Sequence, residues 1–144
     1  MNIVPVTEDT AALWTQLCTE FWPQNAVCEM LEAFRNGEYP HEYLAFETDA
    51  CVGFVSLSVR HDYVEGKTDA RPVGYLEGIY VRPAYRRQGI AKGLVAFARG
   101  WAAEQSCAML ASDCELANED SRLFHNRVGF AEVGVNVHFA MTLS

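Results

Sequence analysis

The sequence predicts a mixed α/β (α+β) fold in one domain. Three observations carry this. Apolar residues switch repeatedly between two-residue and helical spacing. One strand–turn–helix–strand unit occupies the middle of the chain. No repeat, low-complexity tract or linker divides the 144 residues, a length that fits a single domain over 1–144.

The elements follow in order. Residues 1 to 6 predict a short strand. Leu13, Leu17 and Phe21 recur at helical spacing and predict a helix over 9–21. A second helix is expected from Val27 to Asn36, with Asn25 as its cap and Gly37 as its stop. "YLAF" and "CVGFVSLSV" predict two paired strands joined by a turn at Thr48 to Ala50. "HDYVEGKTDARP" is a polar loop. "VGYLEGIYV" is a strand ended by Pro83. The next helix, "GIAKGLVAFARGWAAEQ", carries an apolar stripe of Ile90, Leu94, Val95, Ala98 and Trp101. "CAMLAS" is a strand, "EDSRLFHNRVGF" holds a short helix stopped at Gly129, and "EVGVNVHFAMTL" alternates as a closing strand. The expected order is β α α β β β α β α β.

Composition narrows the class. Half of the residues are apolar and the formal net charge is −8. A domain of this size buries roughly 70% of its unfolded surface and folds without metal or disulfide. Five cysteines, an odd number with no CxxC spacing, predict buried free thiols in a reducing cytoplasm. The start "MNIVPVTED" lacks the pattern of a signal peptide, and no apolar run approaches the ~20 residues of a membrane span. The acidity argues against a nucleic-acid partner and favours a cationic substrate.

One stretch runs against the acidic balance. From Gly78 to Ala103 there is no Asp or Glu, while Arg82, Arg86, Arg87, Lys92 and Arg99 supply five of the eleven Lys and Arg residues. "RRQGIA" (86–91) follows a strand and opens a helix. The first turn of a helix has unpaired N–H groups and partial positive charge, and small residues at 89 and 91 let a ligand approach. A pyrophosphate suits this seat. On these residues alone, a solvated basic turn is an equal reading.

The pattern R-x-x-G-x-A after a strand, with Asn118 and Gly129-Phe130 downstream, resembles the GCN5-related N-acetyltransferase (GNAT) superfamily. The resemblance implies a central, mixed, mostly antiparallel twisted sheet flanked by helices, with acetyl-CoA in a cleft between splayed strands. It implies that Arg86, Arg87, Gln88, Gly89, Ile90 and Ala91 hold the pyrophosphate. Backbone groups of Ile79 and Val81 then bind the pantetheine arm as an added strand would. Asn118 and Ser121 lie near the carrier. A plain helix cap is the other reading of Asn118.

"RHDYVEG" (60–66), "PVGYLEGIYVRPAYRRQGIA" (72–91) and "ASDCELAN" (111–118) are similar, more closely, to the short bacterial aminoglycoside 6'-N-acetyltransferases. "EFWPQN" and "VGFAEVGVNVHF" extend the likeness over nearly the whole chain. It implies acetyl transfer from acetyl-CoA to the 6'-amine of an aminoglycoside, without metal, and antibiotic resistance. Glu77, a carboxylate within an apolar strand, becomes the general base. Asp113, at a strand's carboxyl end, orients cationic amines. The other readings are an exposed edge residue and a turn cap. A backbone N–H near Ile79 is expected to stabilise the oxyanion. His125 stands where many relatives carry a tyrosine that protonates the leaving thiolate, and a surface histidine is the alternative. Trp22 and Tyr63 resemble aromatic walls of the sugar pocket, against core and loop readings. Asn25 replaces a histidine expected in some relatives. His138 reads as a sheet residue. Glu8, Glu20, Glu29, Glu32 and Glu104 read as solvated helix faces. Cys107 and Cys114 have no base beside them in sequence, which disfavours a thiol intermediate.

The likeness also implies a homodimer, with the C-terminal strand contributing across subunits. A monomeric sheet edge reads the same. Two rival readings remain: an acetyltransferase of the same fold acting on a protein N-terminus, polyamine or small amine, and a CoA-binding module without turnover.

Overall fold

The alternating apolar runs between residues 42 and 81 pair into the centre of one open sheet. The structure, a computed structural model, describes residues 1–144. Five strands lie in chain order: β1 (Asn2–Pro5), β2 (Glu42–Glu47), β3 (Ala50–Arg60), β4 (Val73–Val81) and β5 (Leu110–Ser112). The first three pairings are antiparallel and β4–β5 is parallel. The helices are α1 (Ala11–Phe21), α2 (Val27–Arg35), α3 (Ile90–Glu104) and α4 (Glu119–Arg127). This is the mixed, mostly antiparallel sheet that the family resemblance implied.

Each face of the sheet has its own core. On one side Trp14, Leu17, Cys18 and Met30 of α1 and α2 meet Leu44, Cys51 and Phe54. On the other, Ile90, Leu94, Ala98, Trp101 and Ala102 of α3 meet Val52, Val55, Leu57, Leu76 and Val81. The stripe predicted for α3 is the one buried. In α1 the buried face centres on Trp14, Leu17 and Cys18, whereas Phe21 is exposed. The indole of Trp14 explains the rotation: its Nε1 donates to Glu42 across the core at 3.1 Å.

Local chemistry sets the boundaries. Thr48 takes a positive φ in the β2–β3 turn, and Gly37 does so after α2. Ala26, not Asn25, caps α2, and no side chain bonds there; Asn25 is instead free to face the adjoining hollow. A single 3₁₀ turn, Pro83–Tyr85, joins β4 to the α3 approach. β5 is shorter than expected, since only Leu110–Ser112 reach β4 before the two chains diverge. All five cysteines are free, but Cys28 and Cys114 are exposed rather than buried.

The expected closing strand is not formed. Residues 131–144 carry no regular structure, and Val135, Val137, Phe139, Met141 and Leu143 are between 65% and 92% exposed. His138 is therefore an exposed tail residue rather than a sheet residue. A strand requires a ladder partner, and within one chain this segment meets none. It crosses the polar loop instead, where Val133 covers Gly66 and Arg122 pairs with Glu132 at 2.9 Å.

Close approach of β3 to β4 depends on Gly53. A Cβ at this position would sit 2.2 Å from the Tyr80 carbonyl oxygen. Gly53→Ala is expected to cost about 2 kcal/mol or more, seen as a lower denaturant midpoint with an unchanged m-value.

Candidate active site

The site begins with one extra residue in β4. Ser56 pairs with Gly78 and Leu57 with Leu76, so Glu77 has no opposite number on β3. Such a bulge breaks the alternation of faces. Gly74 and Leu76 point toward α3, as do Ile79 and Val81. Tyr75, Glu77 and Gly78 are all turned to the α1/α2 side, where Gly78 lies under the Trp22 ring. A carboxylate is thereby delivered to solvent from the middle of the sheet.

Glu77 opens into a hollow of about 390 Å³ lined by Trp22, Gln24, Asn25, Glu38, Tyr39, Glu42, Ser56 and Ser58 among others. Three carboxyl groups thus share one concavity. Glu77 is held from below: Ser58 Oγ donates to Oε2 at 2.7 Å, and Arg60 Nη2 donates to both oxygens at 2.9 and 3.0 Å. An ionised carboxylate offers about four acceptor positions, so one remains on Oε1 for an incoming donor. Glu42 lies at the floor and is buried. It accepts from Trp14 Nε1, and its Oε2 shares a hydrogen bond with Ser56 Oγ at 2.7 Å. Burial pushes its carboxyl up to about 8, and the nearby Glu77 charge adds to the shift.

Asp113 is tied to the same network. The Tyr75 hydroxyl donates to Asp113 Oδ2, and the Arg60 guanidinium stacks 3.4 Å above the Tyr75 ring. Burial and the Asp113 carboxylate hold the Tyr75 phenol well above its usual range, so it remains a donor. Glu77 and Asp113 are therefore linked through Arg60 and Tyr75. Neither linking residue is singled out by sequence reasoning. Arg60 does lie in "RHDYVEG", and Tyr75 stands two residues before Glu77.

On the far side of β4, the strands separate beyond Leu76 and Ser112. The basic turn closes this end. Arg87 and Gly89 adopt positive φ, at 64° and 79°. Alternation of this kind aims successive N–H groups into one concavity. Gly89 also caps α3 with no side-chain bond, and nothing lies within 4 Å of where its Cβ would be. Conformation, not crowding, is what requires glycine there. The open N-terminal turn of a 15-residue helix fits an anionic phosphate group.

The five basic residues divide. Arg87, Lys92 and Arg99 are exposed and make no ion pair. Arg82 is committed to Glu20 at 3.0 Å, and Tyr80 donates to the same carboxylate. Glu20 is thus a structural partner and not a free helix face. Glu8 is likewise paired, with Arg35. Arg86 Nε donates to the Val81 carbonyl at 2.8 Å, which removes that carbonyl from the groups expected to meet a pantetheine arm.

Asn118 caps α4 by accepting from Ser121 N at 3.1 Å, leaving its amide N–H₂ to donate elsewhere. Glu119 and Asp120 in the first turn and Arg127 in the last complement the helix dipole. His125 Nδ1 donates to the Ser121 carbonyl at 2.7 Å. That bond leaves Nε2 as acceptor for Ser112 Oγ at 2.8 Å. Ser112 is the last residue of β5 to pair with β4. The imidazole therefore reaches the cleft through a serine hydroxyl.

The hollow brings together Trp22, Asn25 and Glu77, with Asp113 joined to them by Tyr75 and Arg60. It does not include Tyr63. That residue is 71% exposed on the polar loop, with its hydroxyl toward Glu65, while neighbouring Val64 is the one packed against Tyr75.

Known proteins share the family and the fold of this chain. The model of the acetyltransferase (GNAT) family matches residues 8–130. The chain is 36% identical to an aminoglycoside N(6')-acetyltransferase type 1 of Acinetobacter haemolyticus, over 97% of each chain. It is 38% identical to one of Serratia marcescens, over 98% of this chain and 99% of the other. The crystal structure of aminoglycoside antibiotic 6'-N-acetyltransferase AAC(6')-IG from A. haemolyticus superposes with TM-score 0.90 at 33% identity, covering all of both chains. AAC(6')-Iy in complex with the bisubstrate analog CoA-S-monomethyl-acetylneamine gives TM-score 0.89 at 28% identity, covering 99% and 98%.

Gly78 lets Trp22 form one wall. A Cβ there would lie 2.6 Å from the indole. Gly78→Ala is expected to tilt the ring away and to cost about 1–3 kcal/mol. Tryptophan emission compared with Trp22→Phe, together with chemical denaturation, checks this.

Proposed function

The chain belongs to the acetyltransferase (GNAT) family, and from that premise we propose that it transfers the acetyl group of acetyl-CoA to the 6'-amine of aminoglycoside antibiotics, conferring resistance. One observation carries the reading: a hollow walled by Trp22 and holding Glu38, Glu42 and Glu77 lies on β4, and the anion-binding turn of α3 follows the same strand. A polyammonium sugar meets carboxylates, and an anionic carrier meets backbone N–H groups and Arg87.

Acetyl-CoA supplies an activated acetyl thioester. Amides of Gln88 to Ala91 hold its pyrophosphate, with Asn118, Ser121, backbone groups of Ile79 and the backbone N–H of Val81 along the arm. In the hollow, Trp22 and Asn25 position the sugar and Asp113 orients a cationic amine. Tyr63 stays a candidate wall that reaches the ligand only from the rim. Glu77 takes the proton that the 6'-ammonium must lose, directly or through water. The N–H near Ile79 faces the developing oxyanion. In its imidazolium form His125 passes its Nε2 proton to Ser112 Oγ as the Ser112 hydroxyl proton moves to the leaving thiolate, which leaves a neutral imidazole. Transfer is direct, since proximity of two bound reactants supplies much of the needed acceleration, up to ~7–11 kcal/mol in favourable cases.

The chain acts as a cytoplasmic homodimer in this reading. Two features favour exchange of the C-terminal segment. From Val133 to Leu143, odd positions are apolar and exposed, the pattern of a strand awaiting its sheet. β5 pairs on one side only, with β4. No helix is long and apolar enough to cross a membrane.

Parallel assays with 6'-amino and 6'-hydroxy aminoglycosides, spermidine and a short peptide test the substrate class. Turnover of only the 6'-amino compounds is expected; preference for the peptide or spermidine overturns the reading. Glu77→Gln and Asp113→Asn are each expected to lower kcat by roughly 10²-fold or more while acetyl-CoA binding, measured by calorimetry, is retained. Removal of residues 132–144 is expected to halve the mass measured by sedimentation; an unchanged mass rules out tail exchange as the basis of assembly.

A further inference from the structure

We propose that Glu42 is the residue by which the hollow selects for ligand charge: its buried carboxyl releases a proton when a polyammonium sugar enters, and the resulting anion faces an ammonium group that does not react. The inference rests on the aminoglycoside reading and adds to it a residue and a proton.

The geometry separates Glu42 from Glu77. Both line the one hollow. Glu77 stands at the rim and already has Arg60 as its counter-ion. Glu42 is 3% exposed and has no cation beside it. The groups facing it are the Trp14 N–H and the Cys18 thiol from α1, and Glu38 and Tyr39 from the segment before β2. From β3 comes the Ser56 hydroxyl, and from β4 the Glu77 carboxylate. All of these are neutral or negative. A carboxyl so buried, unpaired with a cation and near another carboxylate, is neutral in the free protein. Its upward shift, to about 8, agrees.

A ligand ammonium supplies the missing cation. Opposite charge within a few ångströms favours the ionised form of an acid. The surroundings accommodate either form without moving. Trp14 Nε1 is a fixed donor to Oε1. Ser56 Oγ, 2.7 Å from Oε2, accepts from the neutral acid and turns its hydroxyl to donate to the anion. In the step itself the O–H bond of Glu42 breaks, its electron pair stays on oxygen, and the proton passes to buffer. The sign follows. Below about 8 binding must expel this proton; well above it the free protein has already lost it.

The test is calorimetric titration of neamine into the full-length protein with CoA present, in buffers of differing ionisation enthalpy. Ligand amines take up protons of their own, so parent and Glu42→Gln are compared. At pH 7 the parent is expected to show roughly one proton less net uptake per neamine than the variant, and at pH 9.5 the difference is expected to vanish. In turnover with acetyl-CoA, Glu42→Gln is expected to raise the neamine KM roughly tenfold, the equivalent of one charge contact, with kcat changed less than about threefold. Ser56→Ala removes a donor to the anion while keeping the carboxyl, so its proton linkage is expected to persist to higher pH than the parent's. This second variant decides the matter if Glu42→Gln does not fold. Equal proton counts for parent and Glu42→Gln at pH 7, a Ser56→Ala linkage identical to the parent's, or a collapse of kcat at unchanged KM each overturn the role of Glu42. Lack of neamine turnover by the parent overturns the aminoglycoside reading itself, and this inference with it.

Discussion

The bulge at Glu77 is the constraint on which the rest of the site depends. A regular β4 would place Glu77 on the face opposite Gly78, against α3 or against α1, but not both residues on one side. With one residue unpaired, Tyr75, Glu77 and Gly78 come to the same face. Gly78 makes room for Trp22, Tyr75 holds Asp113, and Glu77 stands between them. Past the bulge, Ile79 and Val81 return to the α3 core and carry the strand onward to the basic turn. One inserted residue therefore positions the acidic hollow on one side while preserving the apolar packing on the other.

Charge is then partitioned along that strand. The carboxylates gather where the sheet faces α1 and α2. The unpaired amides gather at the start of α3, where Arg87 and Gly89 hold left-handed backbone. Several charges that look available are already used inside the protein. Arg82 is spent on Glu20, Arg86 on the Val81 carbonyl, and Arg60 on Glu77. These internal pairs matter for chemistry. Arg60 and Ser58 hold Glu77 at a set angle with one acceptor position left open, and a fixed geometry favours proton transfer more than a mobile carboxylate would.

The C-terminal segment shows a different kind of incompleteness. A single chain leaves β5 half-buried with one edge unpaired, beside an apolar groove lined by Val95, Ala102, Met109, Leu110 and Phe130. The same chain leaves an alternating apolar tail without a sheet. Unpaired edges and exposed apolar rows are both unfavourable in water. A second copy would relieve both at once, which gives a physical reason for the proposed assembly.

Much of this protein was determined by its sequence alone. Periodicity, with cap and turn residues, located the strands and helices of the folded body, because burial on one face imposes a period that local residues reveal. The resemblance carried by "RRQGIA", Asn118 and "VGF" led to the family, and Glu77, Asp113, Trp22 and the turn at Arg86 to Ala91 were legible as candidates. Tertiary structure alone decided the partners. Nothing local says that Tyr75 meets Asp113 across 38 positions, that Arg60 bonds Glu77 across 17, or that Glu42 bonds Trp14 across 28. Nor does alternation in residues 132–143 say which edge those residues will find, since a strand is made by its partner and not by its own residues. Sequence specifies which side chains can do chemistry; hydrogen bonds and burial, which arise only when distant segments meet, specify which of them are free to do it.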